Sequence, residues 1–372
     1  MFLGGEQEHL TELSVTAMSF CLLHPKNSNL SEDGPMAAKK FVLMNHTNMQ
    51  GHHFGCARVM RIIEDGLQVR GGEIIGRLDG KQNWQTTPEA LAILAQADGI
   101  VINGEGTLHG GRKKAGWLVD IADHPVSKGK ELSLINTIYQ NNPPEWGSRL
   151  ARFDHIYARE SRSAAALTQA VGRPVPWLGD LSTSAGALPD NGQARSGVMV
   201  GDSVHNTVSA GLAKFSRDMS PQADLIPLTI SLREENPYRP WLIRQYRHYT
   251  LKLRQAVQER RYPNLRYLSS EEAYLDLLRT KSLSVTGRFH GICLNLAAGT
   301  PFICISSNSW KIEALFDDVG LNPRRLIALA DLSPQMVADH DWSFDDKETA
   351  NIAAYLQRTQ SQAADMFDKI VG

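Results

Sequence analysis

The sequence is short of cysteine, and it lacks any excess of charge or any long apolar run. Four cysteines in 372 residues, Cys21, Cys56, Cys293 and Cys304, lie far apart, three of them in apolar contexts. That spacing excludes a disulfide framework and a zinc knuckle, and it reads as reduced core thiols of a cytosolic protein. No run of 18 or more apolar residues occurs, so no integral membrane segment is expected. Met18 to Leu23 is too short for a leader and is preceded by acidic residues where positive charge would be needed, so export is not expected. With 39 Lys and Arg against 40 Asp and Glu, the formal net charge is −1 and the sequence pI about 6.9. No overall field draws nucleic acid or an anionic membrane, and any anion site has to be local. No amphipathic basic helix announces a membrane contact, and there is no repeat of fixed period.

What the chain does have is enough apolar residue, 42% against 21% charged, to bury large cores. Its length fits two domains of roughly 150 residues each. Residues 1–38 lack periodicity, and "HPKNSNLSEDGPMAAKK" has the composition of a loose extension. From "KFVLMN" onward, short apolar runs alternate with helical spacings such as Cys56, Val59, Met60, Ile63 and Leu67. "GEIIG", "GIVIN", "ELSLIN", "HIYAR" and "VPWLGD" read as strands, with helices over Pro88 to Gln96, Trp117 to Asp123 and Ser161 to Ala170. This is the pattern of an α/β parallel sheet. It breaks at "SAGALPDNGQARSG" and restarts with "GVMVGDS", "DLIPLTIS", "NLRYLSS", "SLSVTG" and "PFICISS" as strands, plus a long helix over Tyr238 to Arg260. The division expected is a first Rossmann-like domain over 39–186, a second over 197–345, and a helix over 346–372 that crosses back.

Two such halves make a cleft, and in open α/β sheets ligands sit beyond the carboxyl ends of the strands. After the first strand comes "NHTNMQGHHFGC", where Asn45, Thr47, Asn48, His52 and His53 offer donors ahead of a helix start. After the third comes "NGEGTLHGG". Its glycines, Gly104 and Gly106 among them, let the backbone approach a ligand beside Asn103 and hold Glu105 where desolvation favours a proton donor. "GDLSTS" places Asp180 after the expected sixth strand as nucleophile, base or orienting group, and Asp202 in "GDSVHN" has the same standing.

The densest signal is "VTGRFHGICLNLAAGTPFICISSNSWK", residues 285–311. An arginine, a histidine and a lysine flank segments that look fully buried, and unpaired buried ions are costly, so an anionic ligand is implied. Arg288 offers a planar fork of donors, His290 a proton near neutral pH, and Ser306, Ser307 and Asn308 a helix-start phosphate cradle beside Lys311. Adjacent histidines alone are a poor metal signal, and no ligand cluster stands out, so neither a metal nor another cofactor is expected.

This stretch resembles the signature of the polysaccharide pyruvyl transferase family, in which an arginine, an apolar residue and a histidine precede a small-residue helix, a Gly-x-Pro turn, a strand and a lysine. "ARESRSAAAL" is similar to the family's Arg-Asp-x-x-Ser stretch. The resemblance implies two Rossmann-like domains in a glycosyltransferase-B-like arrangement, with the acceptor on the first and the donor on the second. It implies a cytoplasmic enzyme of bacterial exopolysaccharide or lipopolysaccharide assembly, transferring pyruvate from phosphoenolpyruvate to a glycan sugar as a ketal. Arg288 and His290 would bind the donor's carboxylate and phosphate, with His290 a general acid. The chain departs from the family in "NGEGT" and in its first turn. The pair Glu105 and Asp180 is similar to the acid and nucleophile of retaining transferases that move sugars such as Kdo from a CMP donor, which is the alternative reading. A third is a non-catalytic module that binds anionic saccharides. A lipid-linked glycan acceptor would place the protein at the periphery of the inner membrane.

Overall fold

A computed structural model of the chain describes residues 38–47, 53–229, 239–306 and 309–372. The first half runs β1 (Lys40–His46), α1 (Phe54–Gln68), β2 (Glu73–Asp79), α2 (Pro88–Gln96), β3 (Gly99–Glu105), α3 (Lys113–Val119), β4 (Glu131–Thr137), α4 (Trp146–Leu150), β5 (His155–Ala158) and α5 (Ser161–Val171). The second runs β6 (Val198–Ser203), α6 (Asn206–Asp218), β7 (Asp224–Leu225), α7 (Trp241–Arg261), α8 (Glu271–Thr280), β8 (Leu283–Gly287), α9 (Phe289–Ala298), β9 (Phe302–Ile305), α10 (Lys311–Val319), β10 (Leu326–Ile327), α11 (Pro334–Ala338) and α12 (Asp346–Val371).

Both sheets are parallel, in the orders β2-β1-β3-β4-β5 and β10-β9-β8-β6-β7. Counted within each half, the two orders are the same doubly wound topology, read from opposite edges. The strand order reverses between β1 and β3 in one half and between β6 and β8 in the other, and crevices for ligands open at such points. The architecture is therefore α/β, with two Rossmann-like domains in the glycosyltransferase-B-like arrangement.

Alternation along β1 shows why its run is apolar throughout. Phe41 and Leu43 pack with α1 and α12, while Val42 and Met44 face the opposite layer with Ala90, Leu94 and Leu118. The terminal helix α12 touches both halves. Ile352, Tyr355 and Leu356 pack among Phe289, Ile292 and Phe316, whereas Met366, Phe367 and Ile370 lie in the core of the first sheet.

Three expected strands are corrected. "VPWLGD" forms no strand; Trp177 makes a single parallel bridge to Ala158, because Pro174 and Pro176 lack donors and Gly179 turns left-handed at φ 109°. Of "DLIPLTIS", the described residues form a strand at Asp224–Leu225, cut short by Pro227. "NLRYLSS" contributes one bridge, Leu265 to Leu225, on that short edge.

Candidate active site at the seam of the two halves

At the carboxyl ends of β1, β3 and β4 stand three non-glycine residues with left-handed backbones, Asn45 (φ 56°), Glu105 (φ 39°) and Asn136 (φ 53°). Such conformations cost of order 1–3 kcal/mol each and persist where surrounding bonds impose them. Here the bonds are visible. Asn45 Nδ2 donates to the carbonyl of Asn103 at 2.6 Å and to Thr107 Oγ1 at 3.1 Å. Asn136 Nδ2 donates to Asn103 Oδ1 at 3.3 Å and its own Oδ1 accepts the amide of Leu181 at 3.1 Å. Asn103 Nδ2 then donates to Glu105 Oε1 at 3.0 Å. A relay of amides thus ends on one carboxylate and fixes its direction.

Glu105 Oε2 faces α1, where the Cys56 thiol donates to it at 3.4 Å. Burial first, then the adjacent Glu105 charge, push that thiol well up, so Cys56 stays protonated. On its other side Cys56 Sγ lies 3.9 Å from Nδ1 of His290, at the start of α9 in the second half. His53 caps α1, its Nδ1 accepting the amide of Cys56 at 3.2 Å, and its ring meets that of His290 edge-on at 5.3 Å. Burial, followed by the charges of His290 and Arg288, pulls His53 well below the ordinary imidazole value and keeps it neutral.

The far nitrogen of His290, Nε2, lies 3.6 Å from Asp180 Oδ2, and Arg159 Nη1 lies 3.5 Å from the same oxygen. Asp180 Oδ1 accepts the amide and hydroxyl of Ser182 at 2.9 and 2.6 Å. Burial alone would raise this carboxyl. The charges of His290 and Arg159 reverse that and hold it well below the usual carboxylate range. Arg159 is in turn stacked over the Phe289 ring at 4.5 Å. The Asp180 carboxylate thus stands directly behind Nε2 and fixes the direction of the His290 ring.

Arg288, at the cap of α9, is not uncommitted. Its Nε and Nη2 both donate to Asp202 Oδ2, at 3.0 and 2.5 Å, while Asp202 Oδ1 accepts the amide of Leu228. Arg288, expected as an anion-binding fork of donors, is oriented by an acid at the end of β6, and its Nη1 edge has no hydrogen bond among the described residues. Lys311 opens α10. Burial first, then the cationic neighbours Arg159, Arg288 and Arg112, draw its amine down to about 7. The buried Ser309 Oγ beside it has no hydrogen-bond partner among the described residues.

Of the residues expected to bind a ligand, His53, Glu105, Asp180, His290, Arg288 and Lys311 thus gather at this seam. Thr47 directly follows β1 and is half-buried, Gly106 flanks Glu105, and Ser306 is exposed at the end of β9. Asn48, His52, Ser307 and Asn308 lie outside the described residues. Asn45 and Asn103 build the relay behind Glu105, and a Cβ on Gly104 would meet the Thr137 side chain at 2.3 Å. Asp180 has no exposure and its oxygens serve Ser182, Arg159 and His290, a setting that suits the orienting group among the three roles expected for it. Cys56 and Arg159 were not anticipated, although Arg159 directly follows β5 and obeys the same strand-end rule. One metal-like grouping exists among the described residues: His53, Cys56 and His290 have ligating atoms within 4.8 Å of one another. It would take a soft divalent ion only with an ionised thiol, whereas Cys56 here spends its proton on Glu105.

Known proteins can now be set beside this geometry. Residues 133–309 match the polysaccharide pyruvyl transferase family. The match covers a little under half the chain and includes β4, β5, the β6 and β8 ends with Asp202 and Arg288, and His290. It is the family the resemblance named, and on it the chain is a transferase, with polysaccharide modification as its coarse activity. No curated protein matches the sequence. Among solved structures, a Listeria monocytogenes protein assigned as a UDP-N-acetylglucosamine 2-epimerase is similar with a TM-score of 0.52 at 10% identity, covering 88% of this chain and 94% of that one. S. aureus MnaA, in a co-structure with UDP, is similar with a TM-score of 0.50 at 11% identity and the same coverages. At such identities the likeness concerns the fold. No helix among the described residues is long and apolar enough to cross a membrane.

Proposed function

We propose that this pyruvyl transferase-like chain moves pyruvate from phosphoenolpyruvate to a sugar of a bacterial surface glycan, as a ketal, in the cytoplasm. The observation that carries the reading is His290, an imidazole from one half held against the other half by a buried carboxylate and flanked by the cations Arg288, Lys311 and Arg159. Phosphoenolpyruvate bears a carboxylate and a phosphate on the reacting carbon, and a cluster of this kind supplies complementary charge with little water to screen it.

In this reading the Nη1 edge of Arg288, Lys311 and the hydroxyl of Ser309 receive the anionic groups. His290 gives its proton to the methylene carbon of the donor, leaving the carbon that bears carboxylate and phosphate electrophilic. A sugar hydroxyl adds there and Glu105 takes its proton. Phosphate departs with its bonding pair, and a second hydroxyl of the same sugar closes the ketal, its proton leaving with the phosphate. Asp180 steadies the imidazolium before transfer. The glycosyl alternative asks Asp180 to attack an anomeric carbon, and its burial among Ser182, Arg159 and His290 weighs against that.

The test compares donors. Phosphoenolpyruvate near a hundred times its dissociation constant is expected to stabilise the protein by about 2.7 kcal/mol, and CMP to have no effect. Phosphate release dependent on an acceptor glycan, with a new pyruvate methyl signal in the product, completes the case. Stabilisation by CMP alone would overturn it in favour of glycosyl transfer, and no response to either donor would favour a binding module.

A further inference from the structure

Helix α7 does something the cleft does not explain. None of its 21 residues is buried. Leu242, Tyr246, Tyr249, Leu253 and Val257 recur at spacings of four and three and fall on one stripe of a 3.6-residue helix, and they are 72, 71, 69, 58 and 58% exposed. Trp241 and Ile243 extend the stripe at its start and are exposed too. His248, Leu251 and Gln255 are half-buried on the opposite face, and Arg247 and Thr250, half-buried as well, lie between that face and the stripe, so the exposed apolar stripe points away from the body of the protein. A helix of this length presents a line of about 30 Å. Contiguous exposed apolar surface on this scale marks an interaction site.

Its charge identifies the occupant. Arg244, Arg247, Lys252, Arg254, Arg260 and Arg261 stand against Glu259 alone, so the helix carries +5 in a chain whose formal total is −1. Arg247, Arg254 and Arg261 follow one flank of the stripe at seven-residue steps and Lys252 lies on the other. We propose that α7 is a docking element for an anionic phospholipid surface. The helix would lie in the interfacial plane, with the stripe inserted to the depth of the headgroup boundary, Trp241, Tyr246 and Tyr249 at the level where amphipathic rings are favoured, and the arginines on acidic headgroups. A second copy of the chain fits less well, because pairing two such stripes brings two +5 helices together. Nucleic acid fits less well because the outermost side chains are apolar. The inference does not depend on the identity of the donor. It overturns the expectation, drawn from the sequence, that no amphipathic basic helix is present.

The test uses the full chain and sedimentation with vesicles of phosphatidylcholine, with and without half phosphatidylglycerol. Binding is expected only with phosphatidylglycerol and should weaken at least tenfold when salt is raised from 50 to 500 mM. The triple variant Leu242→Ser, Tyr246→Ser, Leu253→Ser and, separately, the double variant Arg247→Glu, Arg254→Glu should each lose at least tenfold in vesicle binding, with unchanged circular dichroism and melting temperature. Absence of binding to phosphatidylglycerol vesicles, or equal binding by both variants, would overturn the proposal. So would a wild-type dimer in light scattering that the triple variant converts to monomer while vesicle binding stays absent, which would assign the stripe to a second copy.

Discussion

Asp180 has lost all contact with water yet remains ionised, because His290 and Arg159 share its outer oxygen. Removing one partner of such an arrangement leaves buried charge uncompensated, so Asp180→Asn is expected to cost roughly 3–5 kcal/mol in urea denaturation at pH 7. The depressed carboxyl contributes stability that is complete above its unfolded value, about 3.9, and is lost as pH falls further toward its folded value. The gap between wild type and variant should therefore close in acid and stay constant from pH 5 to 8. A variant within 1 kcal/mol of wild type would mean the carboxylate is not what holds the two cations.

Lys311 offers a second prediction at the same scale, with the opposite sign. Its amine, drawn to about 7 by burial and by three guanidinium groups, is charged below neutrality and loses its proton as pH rises. If the charged form receives the donor anion, the dissociation constant for phosphoenolpyruvate should be close to tenfold weaker at pH 8 than at pH 6, with proton uptake on binding that calorimetry in two buffers detects. Lys311→Met should flatten that profile. The folding linkage runs the other way: a lowered amine penalises the folded state below about 7, and the penalty eases as pH rises toward the ordinary lysine value.

Among the elements, α1 and α9 come into close contact at Gly55. A Cβ built there would stand 2.3 Å from His290 Cβ and 2.5 Å from Cγ, so any side chain pushes the His290 ring out of line. Gly55→Ala is expected to lower kcat/KM at least tenfold while the protein still folds by circular dichroism. An unaffected kcat/KM would show that this contact does not set the position of His290. Much at this scale was legible in the sequence. Continuous apolar runs bounded by turns located β1, β3, β4, β8 and β9, and Pro88 to Gln96 has the bounds that the spacing indicates, because Pro at the first turn and a short apolar repeat both favour that helix. Runs containing proline misled, since Val175 to Asp180 and Asp224 to Thr229 have the right apolar content but lose a ladder donor at Pro176 and Pro227. The long helix was legible as a helix. Its outward stripe was not, because periodicity reports an apolar face without saying which way that face points.

Across the whole molecule, α12 is the piece that ties the halves together. Phe367 is fully buried in the core of the first sheet, with Phe41, Ile63 and Leu67, although it lies more than 300 residues from β1 in the chain. Phe367→Ala is expected to cost roughly 3–5 kcal/mol of stability, read as a lowered urea midpoint of the first half. A loss below 1 kcal/mol would mean that the helix merely rests on that surface. Arg58, buried in α1, links the halves a second time, donating to Glu271 of α8 at 2.7 Å and to the carbonyl of Ser182.

The sequence by itself determined the two α/β halves, the strand ends that matter and the residues 285–311 that carry the family, because those are consequences of local periodicity and of which residue types lie next to a turn. Only the tertiary structure decided that Asp202 claims part of Arg288, that Asn45 and Asn103 brace Glu105, and that Cys56 and Arg159 join His290. Apart from the step from Asn103 to Glu105, these contacts join residues scores of positions apart, and no spacing along the chain encodes the direction in which a side chain finds its partner.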